Sequence, residues 1–320
     1  MKKKLLIIGA VILALAVLVG GAYGALIWLQ PFQRDCIVGY GERHPIVNDG
    51  VIPMRLREDG SFTVLQFTDT HLVHTRGHDA RTLRELEYHT ARLQPDLVVI
   101  SGDMVEGRAA RSHTLVDRRG VLEALIDIFA RHEQPWAFIP GNNDHDSFLG
   151  TAHDIASFLA VHCENIIISQ WNGLPGAVHI ILPLVDAENY TAHNLLLIDS
   201  LGRFDTMQPE QANWLSGLLH EFPASIFLHY NTPVFTRAGL ANHPRPFDDA
   251  LDELFLHPNV GLVSIGHTHP DETRRATYEG TIFQIVRASG YRRGDSYPGA
   301  VLITITPNAE ELYYFYDFIY

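Results

Sequence analysis

Five apolar runs in this chain each pass directly into residues of metal-ligand type, and this repeated pattern limits the available folds more than any bulk property does. Phe62–Phe67 is followed by Thr68-Asp69-Thr70-His71, and Leu97–Ile100 by Ser101-Gly102-Asp103. Trp136–Ile139 is followed by Pro140-Gly141-Asn142-Asn143-Asp144, Ser225–Leu228 by His229, and Val260–Ile265 by Gly266-His267-Thr268-His269. Short apolar runs bounded by turn residues read as buried strands. Loops at the carboxyl ends of strands in an α/β sheet line a shared crevice, so five such loops are expected to converge.

The elements between these runs alternate as an α/β chain should. Helices are expected over His78–Leu93, Val121–Ala130, from Ile155, over Pro209–Leu219 and over Phe247–Leu256. Further strands are expected near Ile166–Ile168, Val178–Leu182, Leu195–Ile198, Thr281–Val286, Val301–Ile305 and Leu312–Phe318. Met54–Arg57, an Asp59-Gly60 turn and Ser61–Phe67 read as a hairpin leading into the first buried strand. So many strands in one domain suggest two stacked sheets.

Upstream, Leu5 to Leu29 carries no charged residue and follows Lys2-Lys3-Lys4. At about 1.5 Å per residue this segment can cross a roughly 30 Å hydrocarbon core. The lysines should stay cytoplasmic, with Trp28 at the far interface. The expected organisation is a basic tip (1–4), a transmembrane signal anchor (5–29), a linker (30–53) and an exported domain (54–320). A cleaved signal peptide is the alternative, and either reading exports the domain. Export would permit a disulfide between the only two cysteines, Cys36 and Cys163, although Cys36 lies in the linker and free thiols are equally admissible. A net charge of −13 argues against a nucleic-acid partner held by a basic surface. The chain is expected to act as a monomer.

Taken singly, the ligand-type residues have ordinary explanations. An Asp after Gly is usually a turn or cap, a Gly-Asn pair is usually a turn, and a lone His is usually a hydrogen-bonded core residue. Their joint occurrence after five strands is much harder to assign to chance. Asp69-x-His71, Gly102-Asp103, Gly141-Asn142-x-Asp144, His229 and Gly266-His267-x-His269 resemble the motif blocks of the calcineurin-like metallophosphoesterases, over roughly residues 61 to 290. Phe67-Thr68-Asp69-Thr70-His71 most resembles the purple-acid-phosphatase-like branch. The tyrosine that follows Gly-Asp in true purple acid phosphatases is missing here, so neither the colour nor a ferric preference is expected.

That resemblance implies a four-layer α/β/β/α sandwich with two metal ions at the strand ends. It implies that Asp69, His71 and His269 hold one ion, that Asn142, His229 and His267 hold the other, and that Asp103 bridges them. Nitrogen and oxygen donors without thiolate suit Mn, Fe or Zn. A pair of such ions activates water near neutral pH, which implies hydrolysis of a phosphate mono- or diester. Asp144 is expected to orient a neighbouring histidine. Asn143 stands where most relatives have a histidine; an amide donates hydrogen bonds but cannot act as an acid, which leaves a substrate with a good leaving group, a substitute acid (His145 and His74 are the nearby candidates) or loss of activity. Two pairs, His78-Asp79 and His153-Asp154, read as helix starts. Arg118-Arg119, Arg274-Arg275 and Arg292-Arg293 read as solvated surface, with Arg292 or Arg293 still able to approach a substrate phosphate.

Overall fold

A computed structural model describes residues 51–73, 77–107, 118–145, 151–169, 171, 173–203, 205, 207–242, 249–291, 298–307 and 309–320. All of them belong to one unit, Pro45–Tyr320. The basic tip, the apolar segment 5–29, most of the linker, Cys36, His74, Arg292 and Arg293 lie outside the described residues. Among the described residues no helix is long and apolar enough to cross a membrane.

The architecture is mixed α/β with two sheets. One has seven strands: β1 (Met54–Arg55), β6 (His179–Val185), β7 (Thr191–Ile198), β8 (Ala224–Phe227), β9 (Val260–Ile265), β11 (Thr281–Ile285) and β10 (Arg274–Tyr278), in that spatial order. The other has six: β13 (Tyr313–Ile319), β12 (Gly299–Ile305), β2 (Phe62–Phe67), β3 (Leu97–Ser101), β4 (Trp136–Ile139) and β5 (Ile166–Ile167). Strands β2 to β5 run parallel, as do β7, β8, β9 and β11. The helices are α1 (His78–Leu93), α2 (Arg118–Arg131), α3 (Asn142–His145), α4 (Ala152–His162), α5 (Pro209–Leu219), α6 (Pro233–Arg237) and α7 (Asp249–Leu254).

Alternation along β13 shows how the layers stack. Tyr313 reaches Ser225 of β8, and Asp317 pairs with Arg275 of β10, so this face meets the seven-stranded sheet. Phe318, one residue on and therefore on the opposite face, stacks on His89 of α1 with ring centroids 4.3 Å apart. Phe129 of α2 packs against Trp136 of β4 on the same sheet. The far face of the seven-stranded sheet is covered by α5, α6 and α7, whose Leu215, Phe235 and Leu251 join Leu196, Ile226 and Val263 in one buried core.

A buried polar chain stitches the sheets together. Gln284 (β11) donates to Ser264 (β9), Ser264 to Gln66 (β2), and Gln66 to Ser101 (β3), at 2.8, 2.6 and 2.8 Å. At its outer end Arg275 donates to Gln284 and is gripped by Asp317.

Two expectations change. The Asp59-Gly60 turn forms, with Gly60 at φ 77 and Arg57 N–H donating to Ser61 O at 2.8 Å, but it does not close a hairpin. Met54–Arg55 instead pairs with Leu184 and Val185 of β6. The cause lies in Phe62–Phe67, which is buried throughout and already flanked by β3 and β12, leaving no edge for β1. Arg118 is not solvated surface either, being 2% exposed, while its neighbour Arg119 pairs with Glu123. Cys163 is a buried free thiol that accepts from Trp136 Nε1 at 3.3 Å.

Candidate metal centre

Each of the five runs ends at the same edge of its parallel sheet, and the chain must then turn sharply. Asp69, His71, Asp103, His267 and His269 all have left-handed backbones, with φ between 45 and 68. Asp and His tolerate this region better than most residues, and strain of this kind collects at functional sites. Backbone bonds hold the turns in register: Asp69 N–H donates to Gly102 O, and His71 N–H to Asp103 O, at 3.0 and 2.9 Å. Gly102 has φ 94 and lies against the His229 ring, where a Cβ would overlap it. The two sheets therefore present their loops to each other with little spare room.

The result is two groups of side chains able to hold a metal ion, one of Asp69, His71 and His269 and one of Asp103, His229 and His267. In the first, Nε2 of His71 faces Nε2 of His269 at 3.1 Å, and His269 Nε2 lies 3.1 Å from Asp69 Oδ1. In the second, His229 Nε2 lies 3.4 Å from Asp103 Oδ1. The other oxygen of Asp103, Oδ2, lies 3.7 Å from His71 Nε2, so its two oxygens face different groups. The Asn142 amide joins the second group, with its oxygen facing His267 Nδ1 at 3.0 Å.

The donor set fits cations better than it fits protons. His229 Nδ1 donates to Ser101 O at 3.0 Å, so the atom it turns inward is Nε2, buried, without a hydrogen-bond partner and 3.4 Å from Asp103 Oδ1. A swapped Asn142 amide would donate to His267 and accept from Arg203 and Asn143. A cation between ring and amide instead makes the inward oxygen favourable. Every donor is nitrogen or oxygen, a set that suits Mn, Fe or Zn. In the bare protein, burial opposes charge on all these groups, yet the Asp103 and Asp69 carboxylates raise His229 to about 9. Against the same burial, His269 and His229 hold Asp69, and His229 and His71 hold Asp103, well below the usual carboxylate range. Burial and the nearby His229 lower His267 to about 3.

Residues around the two groups fix their positions. Asn143 donates to both oxygens of Asp103, from N at 2.7 Å and Nδ2 at 2.5 Å. Asp144 differs from expectation: its oxygens go to backbone N–H groups rather than to a histidine. Oδ2 accepts from Gly141 and Met104 at 2.8 and 3.2 Å, and Oδ1 from Val105 at 3.0 Å, so it clamps the Asp103 loop to the Asn142 loop. Burial and Asp103 raise its pKa to about 6. His145 Nε2 lies 2.8 Å from Asp199 Oδ1; burial opposes its protonation, but Asp199 raises its pKa overall.

Two carboxylates were missed by sequence reasoning. Glu106, 3% exposed, lies 3.8 Å from His71 Nδ1, behind that ring. Asp199, fully buried, grips His145 and also accepts from Ala177 and Leu201 N–H. Only the position of Glu106 three residues beyond Asp103 offered any signal.

Known proteins resemble this chain in sequence and in fold. The chain is 31% identical over 168 residues to "Probable inactive purple acid phosphatase 28" of Arabidopsis thaliana, a match covering 48% of this chain and 37% of that relative's length. A dimetal phosphatase from Danio rerio has the same fold, with a TM-score of 0.52 at 15% identity, covering 76% of this chain and 92% of that one. A model of the calcineurin-like phosphoesterase domain matches residues 62–271, spanning both groups of candidate ligands, and the chain therefore belongs to the calcineurin-like phosphoesterase family.

Proposed function

We propose that this protein hydrolyses a phosphate mono- or diester with two metal ions, one held by Asp69, His71 and His269 and the other by Asn142, His229 and His267. Asp103 lies between them, and residues 5–29 tether the domain on the outer side of a membrane. The observation that carries the reading is Asp103, whose two oxygens face the two groups from 3.7 and 3.4 Å. When bound, such ions supply activated water near neutral pH and neutralise the phosphoryl oxygens. Asn143 holds Asp103 in its bridging orientation, and Asp144 fixes the loops that carry both. His145, aligned by Asp199, is the residue we assign to protonate the leaving oxygen in place of the histidine that Asn143 replaces. The tether rests on the uncharged stretch Leu5–Leu29 behind three lysines.

A second reading, a metal-binding domain impaired in catalysis, draws on Asn143 and on the word "inactive" in the Arabidopsis relative's name. One experiment separates the two. The full chain, loaded with Mn²⁺, should contain two ions by elemental analysis and should release product from an aryl phosphate monoester or diester. Asp103→Asn should lose at least one ion and turnover together. Two bound ions with no turnover on any phosphoester would establish the second reading, and the absence of bound metal would refute both.

A further inference from the structure

Beside the metal centre lies a cavity of about 580 Å³ lined by both His267 and His269, one from each group of candidate ligands. Its remaining walls include Asn231, Asn242, Asp271 and Arg274. This volume suits the organic part of a small substrate. A phosphoryl group seated between the two groups of ligands would have the cavity as its neighbour across the histidine wall.

Arg274 and Arg275 open the same edge strand but are used differently. Arg275 is occupied by Gln284, Asp317 and the face of Phe315. Successive strand residues point to opposite faces, and Arg274 is exposed and lines the cavity instead. Among the described residues its guanidinium has no ion-pair or hydrogen-bond partner. A guanidinium fork left open on the wall of a cavity suits a phosphate or carboxylate. Asp271 on the same wall repels anions that are not seated on that fork, which favours one defined position.

We propose that the cavity receives the organic group of the substrate, and that Arg274 determines specificity by binding a second anionic group, a phosphate or carboxylate, carried on that organic group. The proposal rests on the phosphoesterase reading for its substrate class.

The test uses the full chain loaded with Mn²⁺ and three matched probes: butyl phosphate, 1,4-butanediol bisphosphate and 4-phosphonooxybutanoate. Phosphate release gives kcat/KM, and calorimetry gives affinity. Wild type should prefer one or both of the probes that carry a second anionic group over butyl phosphate by about tenfold or more, the usual strength of a charge-assisted hydrogen bond. The preferred probe identifies the group as phosphate or carboxylate. In Arg274→Ala that ratio should fall to about one, and in Arg274→Glu below one. An unchanged ratio in either variant, or no preference in wild type, overturns the proposal. If no probe is hydrolysed although two ions are bound, the aryl mono- and diesters decide the hydrolase reading separately, and the calorimetric ratio still decides the role of Arg274.

Discussion

Metal binding at the Asp103, His229 and His267 group should be linked to the release of one proton, and the structure says which one. A ligand imidazole must offer a lone pair, and His229 in the bare protein is held protonated up to a pKa of about 9 by Asp103 and Asp69. At pH 7 only about one ring in a hundred is then neutral, so the apparent affinity lies about a hundredfold below its limit. His267, lowered to about 3, and Asp103, already ionised, contribute no proton. The logarithm of the association constant should therefore rise by about one per pH unit from about 7 to 8.5, where Asp144, raised to about 6, is already mostly ionised. The metal-free chain should show the opposite trend. A raised histidine pKa stabilises the fold fully below about 6.5, and this contribution is lost as pH climbs through 9. Calorimetric titration of Mn²⁺ into the full apo chain, in two buffers of different ionisation enthalpy, counts the protons directly. An affinity flat across this range, with no proton released, would refute the assignment of His229 as a ligand displaced from its ion pairs.

Two further substitutions probe how tightly the centre is built. Gly141→Ala places a methyl group against the Asp103 backbone and carboxylate and 2.8 Å from His229 Nε2. It should lower the bound metal from two ions to at most one while leaving the far-ultraviolet circular dichroism unchanged, and retention of both ions would contradict the geometry. Gln66→Leu breaks the chain between the sheets and strips partners from buried Ser101 and Ser264. Denaturant unfolding should show a loss of about 2–3 kcal/mol, and a loss below about 0.5 kcal/mol would mean that the polar chain does not contribute to holding the sheets together.

Much of the fold was legible because its strands are short apolar runs with buried faces. Trp136–Ile139 and Val260–Ile265, like α1 and α5, fall where the patterning places them. Strand β10 was missed because Arg274–Tyr278 has no apolar run; as an edge strand with mostly half-exposed residues it needs none. The Glu279-Gly280 turn, both residues at positive φ, is what pairs it with β11, and that two-residue signal was present in the sequence. The false hairpin at Asp59-Gly60 shows the converse: a turn fixes a reversal of direction, whereas pairing is decided by which strand edges remain free.

The centre was legible only as far as its donors are chemical types placed after strands. The roles of Asp144 and Asp199 could not be read this way, because each bonds to backbone N–H groups or to a side chain that only the fold brings near. His145 is 54 residues from Asp199. The backbone of the ligand loops was equally hidden. Five of the candidate ligands hold left-handed conformations, each unfavourable by about 1 kcal/mol or more. Asp and His do not announce that geometry in a sequence as a glycine, which adopts it without steric cost, can. It persists because cross-loop bonds such as His71 N–H to Asp103 O overdetermine the turns. The imidazoles of His71 and His269 are thereby crowded nitrogen to nitrogen at 3.1 Å, beside the buried carboxylates of Asp69 and Asp103. Metal binding would relieve this crowding, so ions should stabilise the strained loops more than the distant core. Amide exchange in the Asp69, Asp103 and His267 loops should then slow on addition of Mn²⁺, while the strands of the central sheets change little.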